Sequence, residues 1–277
     1  MRLARLGMSR HHPVDWNHPE HPLAKKEPRV GRRAILAATI HCPDGPLLCY
    51  CLHLEVFCGM LARIAQFADV LHDSKQQLTK GQYHQAILGD LNTMAHGIAR
   101  LSANYCCDKM RFWSLGQSEG AFWHRNVISI MDSAWDPARD GRAEAQAGED
   151  SVGNGAGAPQ ETARKRAPAA PASATPGSVE QSGKAGGGGA QANARLQYWG
   201  VPADVCKDVT NPGFHDPFDP DTTTLDNPSY RIFRVSLMKG KLDWLLLRRL
   251  KAVATSIGNH DYKASDHKWL AADVVWQ

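Results

Sequence analysis

The chain has 277 residues, 43% of them hydrophobic, which is enough for one large core, and its 32 basic against 28 acidic residues leave a net charge of +4. That mild excess suits an anionic ligand but bears on association and not on fold. No apolar run approaches the roughly 18 residues of a membrane helix. The seven cysteines are odd in number and without repeated spacing. They form neither a disulfide framework nor a zinc pattern, so a reducing, intracellular setting in cytoplasm or nucleus is expected.

Residues 1–30 are polar, rich in histidine and proline, and lack periodicity, which predicts a disordered tail. Met1 to Arg10 carries three arginines and no acid. That is compatible with organellar targeting, but the apolar stretch of a secretory signal is missing. His11, His12, His18 and His21 match no zinc spacing. Ala34 to Ile40 then reads as a strand, Pro43-Asp44-Gly45-Pro46 as a turn and Leu47 to His53 as the returning strand. Leu61, Ile64, Ala65, Ala68 and Leu71 recur at helical spacing and predict a helix over Met60 to Gln76. His84 to Gly89 follows as a buried strand. Trp113, Trp123 and Trp135 offer rings for stacking on bases or, more commonly, for packing.

Residues 136–195 are dominated by Ala, Gly, Pro, Ser and Gln. This composition cannot bury enough apolar surface to offset its ordering entropy, so a disordered insertion is predicted. Arg164-Lys165-Arg166 within it reads as a solvated cluster. Patterning returns at 196. Lys241 to Leu247 and Trp269 to Trp276 read as strands, the latter with Leu270, Ala272, Val274 and Trp276 alternating. Strands interleaved with helices indicate an α/β domain over 31–135 and 196–277. The insertion is tolerable because closure cost grows slowly with loop length.

Four short motifs carry chemistry. Gly89-Asp90-Leu91-Asn92-Thr93 follows an apolar strand and exposes a carboxylate and a carboxamide two residues apart. One can orient a water, the other can donate to a phosphoryl oxygen; an Asx turn is the plainer alternative. Ser265-Asp266-His267 precedes the last strand and can divide a cation and a phosphate between carboxylate and imidazole. Gly240-Lys241-Leu242-Asp243-Trp244 places an acid in an apolar strand. Such an acid needs a partner if buried. His267 is the obvious one, and a solvent-facing edge is the alternative. His53-Leu54-Glu55 ends a strand, where a lone histidine is more often structural, and Glu55 could cap the turn before the helix.

In this order the four motifs resemble the endonuclease/exonuclease/phosphatase superfamily, the deoxyribonuclease-like fold. The stretches Gly89 to Ser102, Asn211 to Asp219 and Gly240 to Leu247 resemble a plant- and alga-type branch of it. The resemblance implies a four-layer α/β/β/α sandwich and a metal-dependent hydrolase of phosphoester bonds, a phosphodiesterase, nuclease or phosphatase. Water would attack in line, and the cation would be Mg2+ or Mn2+. Asp90 would orient or deprotonate the water, Asn92 and His53 would contact the phosphate, Asp243 would hold the catalytic His267, and Asp266 would be the metal carboxylate. The substrate would be a phosphoester, nucleic acid among the candidates.

The family also has an upstream asparagine strand and a Gln-Glu strand whose glutamate is the main metal ligand. Neither is found here; Glu20 and Glu27 do not end apolar strands. The amino-terminal strands of the domain are therefore expected to be missing. A chain without them is expected to hold magnesium weakly and hydrolyse little, the alternative being a silent member that binds a phosphorylated ligand or a protein partner.

Overall fold

The computed structural model describes residues 2–6, 35–56, 60–93, 119–135, 197 and 203–277. Trp113 and the 136–195 stretch lie outside them. Strands β1 (Arg2–Leu6), β2 (Ile35–Cys42), β3 (Gly45–His53), β4 (Gln85–Asp90) and β7 (Asp243–Arg248) form one mixed sheet in the order β1-β2-β3-β4-β7. The β2–β3 hairpin turns at Pro43 and Asp44, within the predicted turn, and Gly45, which pairs with Cys42, takes φ +130. β3 and β4 are parallel, joined by helix α1 (Met60–Leu78), while β4 and β7 are antiparallel. Gly81, at φ +81, stops α1 by returning its amide to the Leu78 carbonyl. β1 falls inside the stretch that the sequence predicts to be a tail. It pairs antiparallel with β2, from Arg2 against Thr39 to Leu6 against Ile35.

The sheet is apolar on both faces. One face, with Tyr50, Leu52, Ile87, Trp244 and Leu246, packs on Ile64, Phe67, Ala68 and Leu71 of α1 and on Phe122 and Trp123 of helix α2 (Glu119–Trp123). Val205 and Cys206 of helix α3 (Ala203–Asp208) join the same core. Trp123 is core, meeting Phe67 edge-on at 5.4 Å. On the other face Ala86, Leu245 and Leu247 meet a hairpin of β8 (Leu250–Gly258) and β9 (Trp269–Trp276), through Leu250, Ala252, Ile257, Leu270, Ala272 and Trp276. Described residues thus supply helix, sheet and sheet layers of a mixed α/β fold. His215 exchanges two backbone bonds with Leu247 and covers the free edge of β7. A small hairpin, β5 (Arg231–Ile232) and β6 (Val235–Ser236), projects before β7. Among the described residues no helix is long and apolar enough to cross a membrane.

Candidate active site

Strand register builds the centre. His53 ends β3 and pairs with Asp90 at the end of β4, and Asp90 pairs with Asp243 at the start of β7. Three adjoining strands therefore deliver an imidazole and two carboxylates to one sheet edge. Gly89 makes the approach possible: a Cβ there would lie 2.0 Å from the Leu52 carbonyl oxygen, and φ is +134. Beyond β4 the Asn92 amide donates to Asp90 Oδ1 at 2.7 Å, so the Asx turn anticipated from the motif is present.

His267 arrives from the β8–β9 loop. Its Nδ1 lies 2.9 Å from Asp243 Oδ2, the contact expected from the sequence. Asn259, at φ +59, braces this loop by donating Nδ2 to the carbonyls of Ser265 and His267. Thr224 supports both partners. Its buried hydroxyl accepts the amides of Leu242 and Asp243 at 2.9 and 3.1 Å, and its carbonyl accepts the Lys268 amide at 2.8 Å. Neither Asn259 nor Thr224 stands out in the sequence, because each acts through backbone groups and belongs to no motif, Thr224 reaching 18 and 19 positions along the chain. Asp90, Asp243 and His267 each offer a ligand atom within 4.8 Å of the others. His53 Nε2 stands 3.4 Å from Asp90 Oδ2 and is 56% exposed.

Two residues sit differently from their expected roles. Asn92 is buried and its side-chain amide donates to the Leu54 carbonyl at 2.8 Å, tying the β3 and β4 ends together. Asp266 is exposed, accepts the Tyr230 hydroxyl at 3.2 Å and lies outside the Asp90–Asp243–His267 group. Behind the centre, Arg63 is fully buried. It is held by Glu119 at 2.7 and 2.9 Å and donates to the Glu55 carbonyl. Glu55 accepts the Val56 amide, consistent with a turn-capping role.

The electrostatics follow from this crowding. Burial and the neighbouring Asp243 carboxylate push the Asp90 pKa up to about 6, against the pull of the Asn92 amide, His267 and Arg63. Burial alone would lower the His267 pKa, but the hydrogen bond and charge of Asp243, with Asp90 and Asp266, outweigh it and raise it. A partly protonated carboxylate beside a held imidazole can accept and return a proton near neutral pH. Asp243 Oδ2 and His267 Nδ1 are committed to each other. The adjoining carboxylates of Asp90 and Asp243 are an oxygen donor set that fits a hard cation retaining several waters.

No family model matches the chain, and a search of curated proteins gives no match. Similar solved structures include an endonuclease/exonuclease/phosphatase from Beutenbergia cavernae, 14% identical with TM-score 0.39, aligned over 92% of this chain and 42% of that one. A family protein from Bacteroides thetaiotaomicron is 11% identical with TM-score 0.34, aligned over 90% and 57%. The chain thus spans less than two thirds of the length of either. Both of these solved structures are of endonuclease/exonuclease/phosphatase family proteins.

Proposed function

We propose that the chain carries the hydrolytic centre of a metal-dependent phosphoester hydrolase of the endonuclease/exonuclease/phosphatase type. The observation that carries this reading is the meeting of His53, Asp90, Asp243 and His267 at adjoining strand ends, with the 2.9 Å Asp243–His267 bond at its middle. Asp90, with a pKa of about 6, is largely ionised at neutral pH and positions or deprotonates the attacking water. Asp243 fixes the imidazole through Nδ1, so that His267 presents Nε2 to the phosphoryl group as a donor. His53, exposed beside Asp90, is the second phosphate contact. Asn92 acts as a brace on the loop. Asp90 and Asp243 would hold Mg2+ or Mn2+, with Asp266 on the solvent side, and the cation would supply charge neutralisation at the phosphoryl oxygens. The four-layer sandwich belongs to the same proposal. Its fourth, helical layer would cover the outer side of β8–β9, where Val253 and Val275 are exposed.

A second reading is a silent member that binds a phosphorylated ligand. It is favoured by the small donor set, in which one of two carboxylates already serves the imidazole. Hydrolysis of bis-p-nitrophenyl phosphate with magnesium separates the two. The first reading expects slow turnover that chelation abolishes and that His267→Ala lowers by about 10²–10⁴. Phosphate binding without turnover would select the second.

A further inference from the structure

The β5–β6 hairpin is built against its own turn chemistry. Ile232 pairs with Val235, leaving a two-residue turn of Phe233 and Arg234 at φ +48 and +68. Left-handed turns of this kind favour Asn and Gly, and a bulky residue there is an outlier. Phe233 is nevertheless 97% exposed, with Ile232 at 54% and Val235 at 64% beside it. Among the described residues no packing compensates for placing a phenyl ring at that tip, which points to a contact from outside them. Base outnumbers acid on this segment: residues 226–240 carry Asp226 against Arg231, Arg234 and Lys239, with Asp266 at the hairpin's base beside Tyr230. Asp226 itself is shared between Arg231 at 3.1 Å and Lys239 at 3.9 Å, so Arg234 at the tip is the base it does not hold.

We propose that this hairpin is a docking element for an anionic lipid surface, with Phe233, Ile232 and Val235 entering the headgroup–acyl boundary and Arg234, Arg231 and Lys239 meeting the anionic headgroups. A convex apolar tip rimmed by basic side chains fits such a soft surface without needing a complementary groove. A single-stranded nucleic acid is the weaker fit, because Ile232 and Val235 offer no ring on which a base stacks. The hairpin also reports to the candidate centre. Tyr230, just before β5, receives the Leu237 amide at 2.9 Å on its carbonyl and gives its hydroxyl to Asp266, next to His267. Docking would therefore set the sheet edge bearing Asp90 and His267 near the bilayer. The docking itself does not depend on hydrolysis.

The test is co-sedimentation of the full chain with phosphatidylcholine–phosphatidylserine vesicles and with phosphatidylcholine vesicles alone. The wild type should partition to the anionic vesicles and be weakened by salt. Phe233→Asn, which suits the left-handed turn, should cut partitioning on the order of tenfold or more while leaving the melting temperature unchanged or raised. Phe233→Trp should retain binding. The proposal is overturned by Phe233→Asn binding like wild type or by equal partitioning to both vesicle types. It is also overturned if Phe233→Asn weakens binding to a single-stranded oligonucleotide while vesicle binding is untouched.

Discussion

His267 faces three carboxylates, Asp243, Asp90 and Asp266, whose combined pull outweighs burial and raises its pKa. Because the folded value is raised, the stability this pairing contributes is fully present below about 6.5 and is lost as pH rises through the folded value. The imidazole proton signal, assigned by its loss in His267→Ala, should titrate above the ordinary histidine midpoint. Asp243→Asn should move that midpoint down, since burial would then act with less opposition; an unmoved midpoint would remove Asp243 as its partner. Asp90 also loses stability as pH rises, in a lower window and for a different reason. Its carboxyl is raised to about 6 by burial and by Asp243, so ionising it costs stability as pH climbs from about 4 to 6. Asp90→Asn keeps an oxygen for the Asn92 amide and should raise unfolding free energy at pH 8, by about 3 kcal/mol at most, while turnover collapses. A less stable Asp90→Asn would show that the carboxylate is compensated by something other than a catalytic task. These residues were legible because strand-end motifs fix where a side chain emerges. The inward turn of Asn92 and the outward position of Asp266 were not. Each depends on a partner, Leu54 or Tyr230, that lies 36 to 38 positions away along the chain.

Among the secondary-structure elements, β3 and β4 depend on one close contact. Gly89→Ala would press a methyl group on the Leu52 carbonyl and force alanine to φ +134. A loss of at least about 2 kcal/mol is expected in denaturant unfolding, and a silent substitution would contradict the register drawn here. α1 and α2 are joined by the fully buried Arg63–Glu119 pair. Arg63→Met leaves Glu119 buried without its charge partner and should cost about 3–5 kcal/mol. β2, β3, α1, β4, β7 and β9 were readable because apolar periodicity or alternation runs through each. β8 was not: Ala252, Ala254, Thr255 and Ser256 are small or polar, and Val253, its large apolar residue in that stretch, points outward. β1 pairs through its backbone with β2 from within a polar stretch where no pattern marks it.

For the molecule as a whole, the two sides of the 136–195 stretch meet. Met131 bridges Asn211, and Lys75 of α1 binds both Asp132 and Thr210, at 3.0 and 2.6 Å. A segment with that composition, leaving and returning at one place, should be removable. Replacing 136–195 by a short Gly/Ser linker should leave the melting temperature nearly unchanged, and a large drop would assign it a structural role. The central claim is that Asp90, Asp243 and His267 form one cation-binding hydrolytic centre. Its most direct test is paramagnetic broadening of the His267 imidazole signal during Mn2+ titration. Selective broadening of that signal is expected in the wild type, with the Mn2+ requirement raised about tenfold or more in Asp90→Asn. A His267 signal that stays sharp while other histidines broaden, or equal broadening in Asp90→Asn, would contradict it.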